Sequence, residues 1–209
     1  VVTACDCSGS QTGIESWGYR SYGGFTYDDS VTLISNNVTD CGWGMLLARL
    51  QDTEVGGGNL FAGCANGILI FSSVGGVRIH DVDVSGAGTG IGVQLASASN
   101  VTVERVVARH RATGIHCGPD PGDQGIAIIG CDCSGSEIGF YTDDGYHRSY
   151  TLSNNDFSNC TGWGMYLYDI HDTDIGGSNL FTGCANGIYM CRESSGIRIQ
   201  DVDVSGGGD

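Results

Sequence analysis

Residues 59–71 read NLFAGCANGILIF and residues 179–191 read NLFTGCANGIYMC, so one stretch of sequence occurs twice. The likeness spreads outward from it. VRIHDVDVSG from Val77 returns as IRIQDVDVSG from Ile197, GWGM from Gly42 returns at Gly162, and CDCSGS from Cys5 returns at Cys131. The offset is 126 residues at first and 120 after Trp43, which makes the chain a duplication. On this reading residues 1–209 are a single domain, with 1–125 a first five-coil unit and 126–209 a second, incomplete one.

A shorter period lies inside the unit. Segments open at Val31, Glu54, Val77, Val101, Ile126, Tyr150, Asp174 and Ile197, 23 to 25 residues apart. Each runs apolar-x-apolar, a small or polar turn, then a Gly followed by apolar residues at alternate positions. The residue after that Gly reads Ile14, Met45, Ile68, Ile91, Ile115, Phe140, Met165, Ile188. Alternation with period two marks strands, and identical columns in successive segments stack each segment on the last. The fold class is therefore all-β, a single-stranded parallel β-helix (solenoid) of about eight to nine coils with no capping helix, its coils roughly 4.8 Å apart. Glycine, 36 of 209 residues, is assigned to tight corners. Asn36 with Asn59, and Asn155 with Asn179, occupy equivalent corners and are expected to hydrogen-bond from coil to coil.

Composition narrows the function classes. Acidic residues number 24 against 9 basic ones, all Arg, for a net charge of −15. Such a surface repels phosphate backbones, so nucleic acid is not an expected partner. No apolar run reaches membrane-spanning length, so no membrane insertion is expected. The absence of an initiator Met and the start within a repeat suggest an excised piece or a chain whose ends stack on other copies. Ten Cys and the sequons at Asn37, Asn100 and Asn159 point to an extracellular or cell-surface glycoprotein.

Coils of this length, a Gly-apolar-x-apolar strand and an Asn ladder at a turn resemble the right-handed parallel β-helix of the pectin-lyase-like superfamily. The resemblance covers nearly the whole chain and implies the right hand of the solenoid. It implies several functions, since polysaccharide lyases, hydrolases, epimerases, tailspikes, adhesins and surface-layer repeats share the fold. The Asn-Thr-Asp, paired-Asp and Gly-His-Gly set of the pectin hydrolases is not present as a constellation. The Asp-Pro-His motif of the alginate epimerases is absent, and GPDPGD at 118–123 is only a faint echo of it.

One outer face departs from polarity. The position two after the coil Gly reads Glu15, Leu46, Leu69, Gly92, His116, Tyr141, Tyr166, Tyr189, and Phe71 and Tyr168 lie two further on. Leu46, Leu69, Phe71, Tyr141, Tyr166, Tyr168 and Tyr189 thus form a candidate interface or glycan-binding stripe. Residues 17–30 are long enough to cover its first coils. Beside the Tyr residues, Asp144, Asp169 and Arg192 share a column, with His147 and His171 in the following turns. Two carboxylates a coil apart would suit glycoside chemistry. The matching residues of the first unit are Gly18, Arg49 and Ser72, which argues against it.

Cys41 with Cys64, and Cys160 with Cys184, lie in one column of adjacent coils, near enough for disulfides. Cys7, Cys117 and Cys133 fall in inward columns, Cys5 and Cys131 at a corner, and Cys191 outward, where it suits intermolecular pairing. No organic cofactor is expected. Asp132 and Asp156 are outward neighbours, with Asp83 in the same column, and calcium is the cation they would take. The preferred function is a structural or adhesive repeat protein that self-associates, end to end or side by side, or belongs to a longer array or filament. The alternative is a carbohydrate-active enzyme or glycan-binding module whose partner is a polysaccharide.

Overall fold

The computed structural model describes residues 1–17, 20–21, 24–25, 28–29, 31–72, 74–118 and 124–206, with backbone only for 18–30 and at 74. Its strands wind as a parallel β-solenoid with three faces. One face is a sheet of eight strands: Thr12–Trp17, Trp43–Ala48, Asn66–Phe71, Ile91–Ala96, Thr113–Cys117, Ile138–Thr142, Trp163–Tyr168 and Asn186–Cys191. A second is a nine-stranded sheet that runs from Val2–Thr3 to Arg198–Ile199. The third is narrower, a chain of single bridges from Asp6 through Asn37, Leu60, Asp83, Val107, Asp132 and Asp156 to Leu180. Eight strands are separated by seven steps, so the solenoid has about seven turns rather than eight to nine. The columns of the sequence count strands, and a turn is the step between two.

Every face sends alternate residues inward. Val38, Phe61, Val84, Ala108, Cys133, Phe157 and Phe181 stack from the narrow face, and Leu33, Val55, Ile79, Val103, Ile128, Leu152 and Ile175 from the nine-stranded sheet. From the eight-stranded sheet come Met45, Leu47, Ile68, Ile70, Val93, Leu95, Ile115 and Phe140, all fully buried. Each such aliphatic contributes about 1.5–3 kcal/mol on burial. Among the described residues there is no helix.

The strand glycines are needed for space rather than for unusual φ. A Cβ on Gly114 would lie 2.6 Å from Cys133 Cβ and 2.7 Å from the Gly139 carbonyl oxygen. The same clash with the next coil's glycine carbonyl recurs at Gly13, Gly44, Gly67, Gly92, Gly139 and Gly164. Left-handed corners are carried both by other glycines, such as Gly63, Gly90 and Gly183, as expected, and by non-glycine residues. Arg49, Ser72, Ser97, Asp169 and Arg192, one per coil beyond the strand, have φ between 50° and 63°.

Two asparagine ladders close a corner, as expected. Asn36 donates through Nδ2 to Asn59 Oδ1 at 2.9 Å, and Asn59 donates to the carbonyls of Leu33 and Gly56. In the second unit Asn155 Nδ2 donates to Asn179 Oδ1 at 3.0 Å and to Ile128 O, while Asn155 Oδ1 accepts from the Cys131 N–H. These side chains are buried, and each satisfies backbone groups that the corner would otherwise strand.

A second corner device is an Asp-x-Ser turn. The N–H groups of Ser8, Ser85, Ser134, Ser158 and Ser205 donate at 2.9–3.1 Å to Oδ1 of Asp6, Asp83, Asp132, Asp156 and Asp203. Aspartate reaches its own backbone two residues on, a geometry that glutamate overshoots. A third device is Arg111, fully buried, in the column of Cys64 and Thr89. It donates to five carbonyls, those of Val84, Cys64, Ala65, Thr89 and Ser85. Burial lowers its pKa from the usual arginine value.

Three outcomes follow from these contacts. Gly114→Ala is expected to cost about 1–3 kcal/mol by overpacking, read as a lower urea midpoint. Asn155→Ala, which strands the Cys131 N–H, should cost about 1–3 kcal/mol in the same assay. The third is acid lability. Carboxyl pKa values are lowered at Asp6 by Ser8, at Asp81 by Arg105 and His80, and at Asp203 by Ser205. Burial lowers those of His116 and His147. A group whose folded pKa is depressed contributes stability above its unfolded pKa and loses it as pH falls through the folded value. Melting temperature in 0.5 M NaCl should therefore be level above about pH 6.5, decline below it as the histidines are forced to ionise, and drop again below about pH 4. A melting temperature that rises on acidification would contradict this.

Candidate functional site

Strand register assembles the outer column of the eight-stranded sheet as Glu15, Leu46, Leu69, Gln94, His116, Tyr141, Tyr166, Tyr189. The fourth member is Gln94, not Gly92. That coil carries both Gly90 and Gly92, each followed by an apolar residue, and the sequence pattern fits either. Gly90 takes a corner at φ +68°, so the strand glycine is Gly92 and the inward pair is Val93 and Leu95.

The lower part of the column is a continuous ladder of rings. His116 stacks on Tyr141 with centroids 5.0 Å apart, Tyr141 meets Tyr166 edge-on at 5.5 Å, and Tyr166 meets Tyr189 at 4.9 Å. Trp163, one residue before its strand glycine, joins the ladder 5.8 Å from Tyr166 and 5.0 Å from Tyr189. The sequence reading passed over Trp163, although the repeated GWGM motif placed it on the same strand. Tyr189 is 39% exposed, and Tyr141, Tyr166, Tyr168, Leu46, Leu69 and Phe71 are half-buried. Between the strands Thr12–Trp17 and Thr32–Ile34, Asp28–Asp29 pairs with Leu50–Gln51. Whether residues 17–30 cover Leu46 and Leu69 lies with side chains outside the described residues, as does the GPDPGD echo from Pro119 to Asp123.

The ionisable residues do not form the expected column. Strand pairing sets His147 beside Ile170 and Arg148 beside His171, and Asp169 O accepts from the His147 N–H at 3.1 Å, so Asp144 is not paired with Asp169. Residues 143–146 bulge beyond the end of strand Ile138–Thr142, and Asp144 is carried out to an exposed position. Asp143, which the sequence reading missed, turns back instead. Its Oδ2 lies 3.1 Å from His116 Nε2, and its Oδ1 is buried without a partner. His147 is enclosed, with Nδ1 3.1 Å from the Tyr150 hydroxyl and Nε2 3.2 Å from Asp143 O. His171 stacks on Tyr146 and lies 2.9 Å from Asp169 Oδ1 and 2.8 Å from Ser195 Oγ. Arg192 sits 5.1 Å above the Tyr168 ring. Asp144 and Asp169 thus do not share the ladder position expected of them, and His147 and His171 are held by hydrogen bonds at the corners.

Asp132 is no open calcium ligand. Arg109 grips its carboxylate through Nε at 2.7 Å and through a second guanidinium nitrogen, and Ser134 adds a hydroxyl. Burial opposes its charge, but Arg109 and Ser134 outweigh that and lower its pKa below the usual carboxylate value. Asp156 is engaged in its own turn with Ser158. Of the sequons, Asn100 and Asn159 are exposed and Asn37 is half-buried.

All ten cysteines are thiols. The bonds expected between Cys41 and Cys64 and between Cys160 and Cys184 are not formed, though both pairs lie side by side. Cys117, Cys131 and Cys133 are buried, Cys7 is half-buried and Cys5 is exposed. Cys191, expected outward, is half-buried, with Sγ 3.6 Å from Leu167 O.

A family model described as periplasmic copper-binding protein (NosD) matches residues 53–204. No curated protein and no solved structure matches the chain. Copper would need a cluster of imidazole or sulfur donors. Among the described residues no three of His, Cys, Asp and Glu gather to hold a metal. His116 and His171 are engaged as above. The side chains of the described residues do not form a copper centre. The match nevertheless spans most of the chain and agrees with the coil geometry throughout: the chain belongs to the NosD family of right-handed, pectin-lyase-like β-helices.

Proposed function

We propose that the chain is an extracytoplasmic structural or adhesive β-solenoid whose aromatic sheet face binds further copies of itself. The ring ladder from His116 to Tyr189, with Trp163 beside it, carries this reading. A row of rings in successive coils, on a face that alternation should leave polar, is the composition of an interface core. The family's description as periplasmic supports the location. The described residues hold no helix long and apolar enough to cross a membrane.

A second reading is a glycan-binding module. The neighbourhood of His171, Tyr146, Tyr168 and Arg192 favours it, since rings beside hydrogen-bonding groups are what sugar recognition uses. Sedimentation separates the two. A net charge of −15 opposes association at low salt, so the wild type is expected to assemble as NaCl rises from 20 to 500 mM. A variant with Tyr141→Ser, Tyr166→Ser and Tyr189→Ser, shown by circular dichroism to be folded, should stay monomeric or require at least tenfold more protein. A wild type that remains monomeric throughout, or a variant that assembles equally well, would overturn self-association. Retention on a polysaccharide column that Tyr146→Ala abolishes would favour the second reading.

A further inference from the structure

The two cysteine pairs hold equivalent places in the duplicated units. Cys41 and Cys160 lie 119 residues apart, and Cys64 and Cys184 lie 120 apart. All four side chains are buried among core residues. Within each pair the backbones are in direct register. The Ala65 N–H donates to Cys41 O at 2.8 Å, and the Ala185 N–H to Cys160 O at 3.0 Å. Residues so placed one coil apart have Cα atoms about 5 Å apart, within the range a disulfide spans. The corners leave the side chains free to turn toward each other, since none of the four lies in a strand.

In the second pair the sulfurs converge, whereas Cys41 Sγ lies against Cys7 O and Thr39 O. Cys160 Sγ and Cys184 Sγ both lie against one carbonyl, Phe157 O, at 3.1 and 2.9 Å. Cys64 Sγ reaches the equivalent carbonyl of the first unit, Val38 O, at 2.7 Å. We propose that Cys41–Cys64 and Cys160–Cys184 are two oxidisable dithiols, each closing to a disulfide that staples one coil to the next.

The second pair is chemically asymmetric. A hydrogen bond from the Cys160 thiol holds Cys184 down to about 7, and the same bond, with burial, raises Cys160. Exchange with Cys184 attacking and Cys160 resolving closes the pair. With a low-molecular-weight disulfide such as oxidised glutathione, the Cys184 thiolate attacks one sulfur and the donor's S–S bond breaks. One glutathione thiolate departs and is protonated. Cys160 then attacks the Cys184 sulfur of the mixed disulfide, losing its proton, and the second glutathione leaves. The dithiol gives up two electrons, and the donor becomes two thiols. In the first pair Cys64 borders an open groove with Ala62, Ser85, Gly86 and Thr89.

The test uses the whole chain, reduced, then refolded in a mixture of reduced and oxidised glutathione. After N-ethylmaleimide blocking in denaturant, peptides are mapped without reduction. The expected result is two cross-linked peptides, Cys41 with Cys64 and Cys160 with Cys184, and a fall in alkylated thiols from ten to six. Reductant should then lower the melting temperature by roughly 10 °C or more. Cys64→Ser and Cys184→Ser should each abolish only their own link. Alkylation of all four residues after refolding, or links that join them to other cysteines, would overturn the proposal.

Discussion

Parallel strands one residue wide in register can be laid coil on coil only where no side chain intrudes between the sheet and the narrow face. At Gly13, Gly44, Gly67, Gly92, Gly114, Gly139 and Gly164 the next coil's glycine carbonyl occupies the space a Cβ would need. On the other side that space is bounded by inward side chains of the narrow face, Phe61 at Gly44, Cys133 at Gly114 and Phe157 at Gly139. Close approach at this column sets how tightly the two faces meet. It brings the Phe and Val stack of the narrow face against the aliphatic stack of the sheet, and the core becomes continuous. The corners, ladders and outer columns inherit their spacing from it.

The backbone course was largely legible because a solenoid writes the same requirement once per coil. Repetition made Val38, Phe61 and Val84 recognisable as one inward column, and placed Asn36 above Asn59. Legibility failed where a coil offered two solutions or broke the pattern. Gly90 and Gly92 satisfied the same local rule, and only strand pairing distinguishes them. Residues 143–146 are a bulge, so counting five positions from the strand glycine led to Asp144, whereas the residue that returns to the face is Asp143. The Asp-x-Ser turns were visible in DCS, DVS and DFS. They were read as bare outward charge because a hydrogen bond from an aspartate to its own backbone leaves no periodic trace of its own. The same turns occupy five of the 19 Asp, against 5 Glu in the whole chain.

Function is divided among the faces in a way composition alone conceals. The narrow face spends its carboxylates on turns and on the pairing of Asp132 with Arg109. The nine-stranded sheet carries ion pairs across coils, such as Arg78 with Glu104 at 2.8 Å. Only the eight-stranded sheet presents rings in sequence, and these begin at His116, within the last coil of the first unit, and continue through the second. The duplicated units have therefore diverged on their outer surface while retaining the same interior: Leu46 and Leu69 stand where Tyr166 and Tyr189 stand later.

Arg111 ties together pieces of chain that the strand ladder links only pairwise. Its guanidinium holds carbonyls from residues 64–65, 84–85 and 89, in the two coils that precede its own. Opening any one of them would strand a buried positive charge that has no carboxylate beside it among its hydrogen-bond partners, a cost borne by all at once. A stack of otherwise nearest-neighbour repeats thereby acquires a cooperative block in its middle, and fraying that starts at either end meets a segment that must yield as a whole.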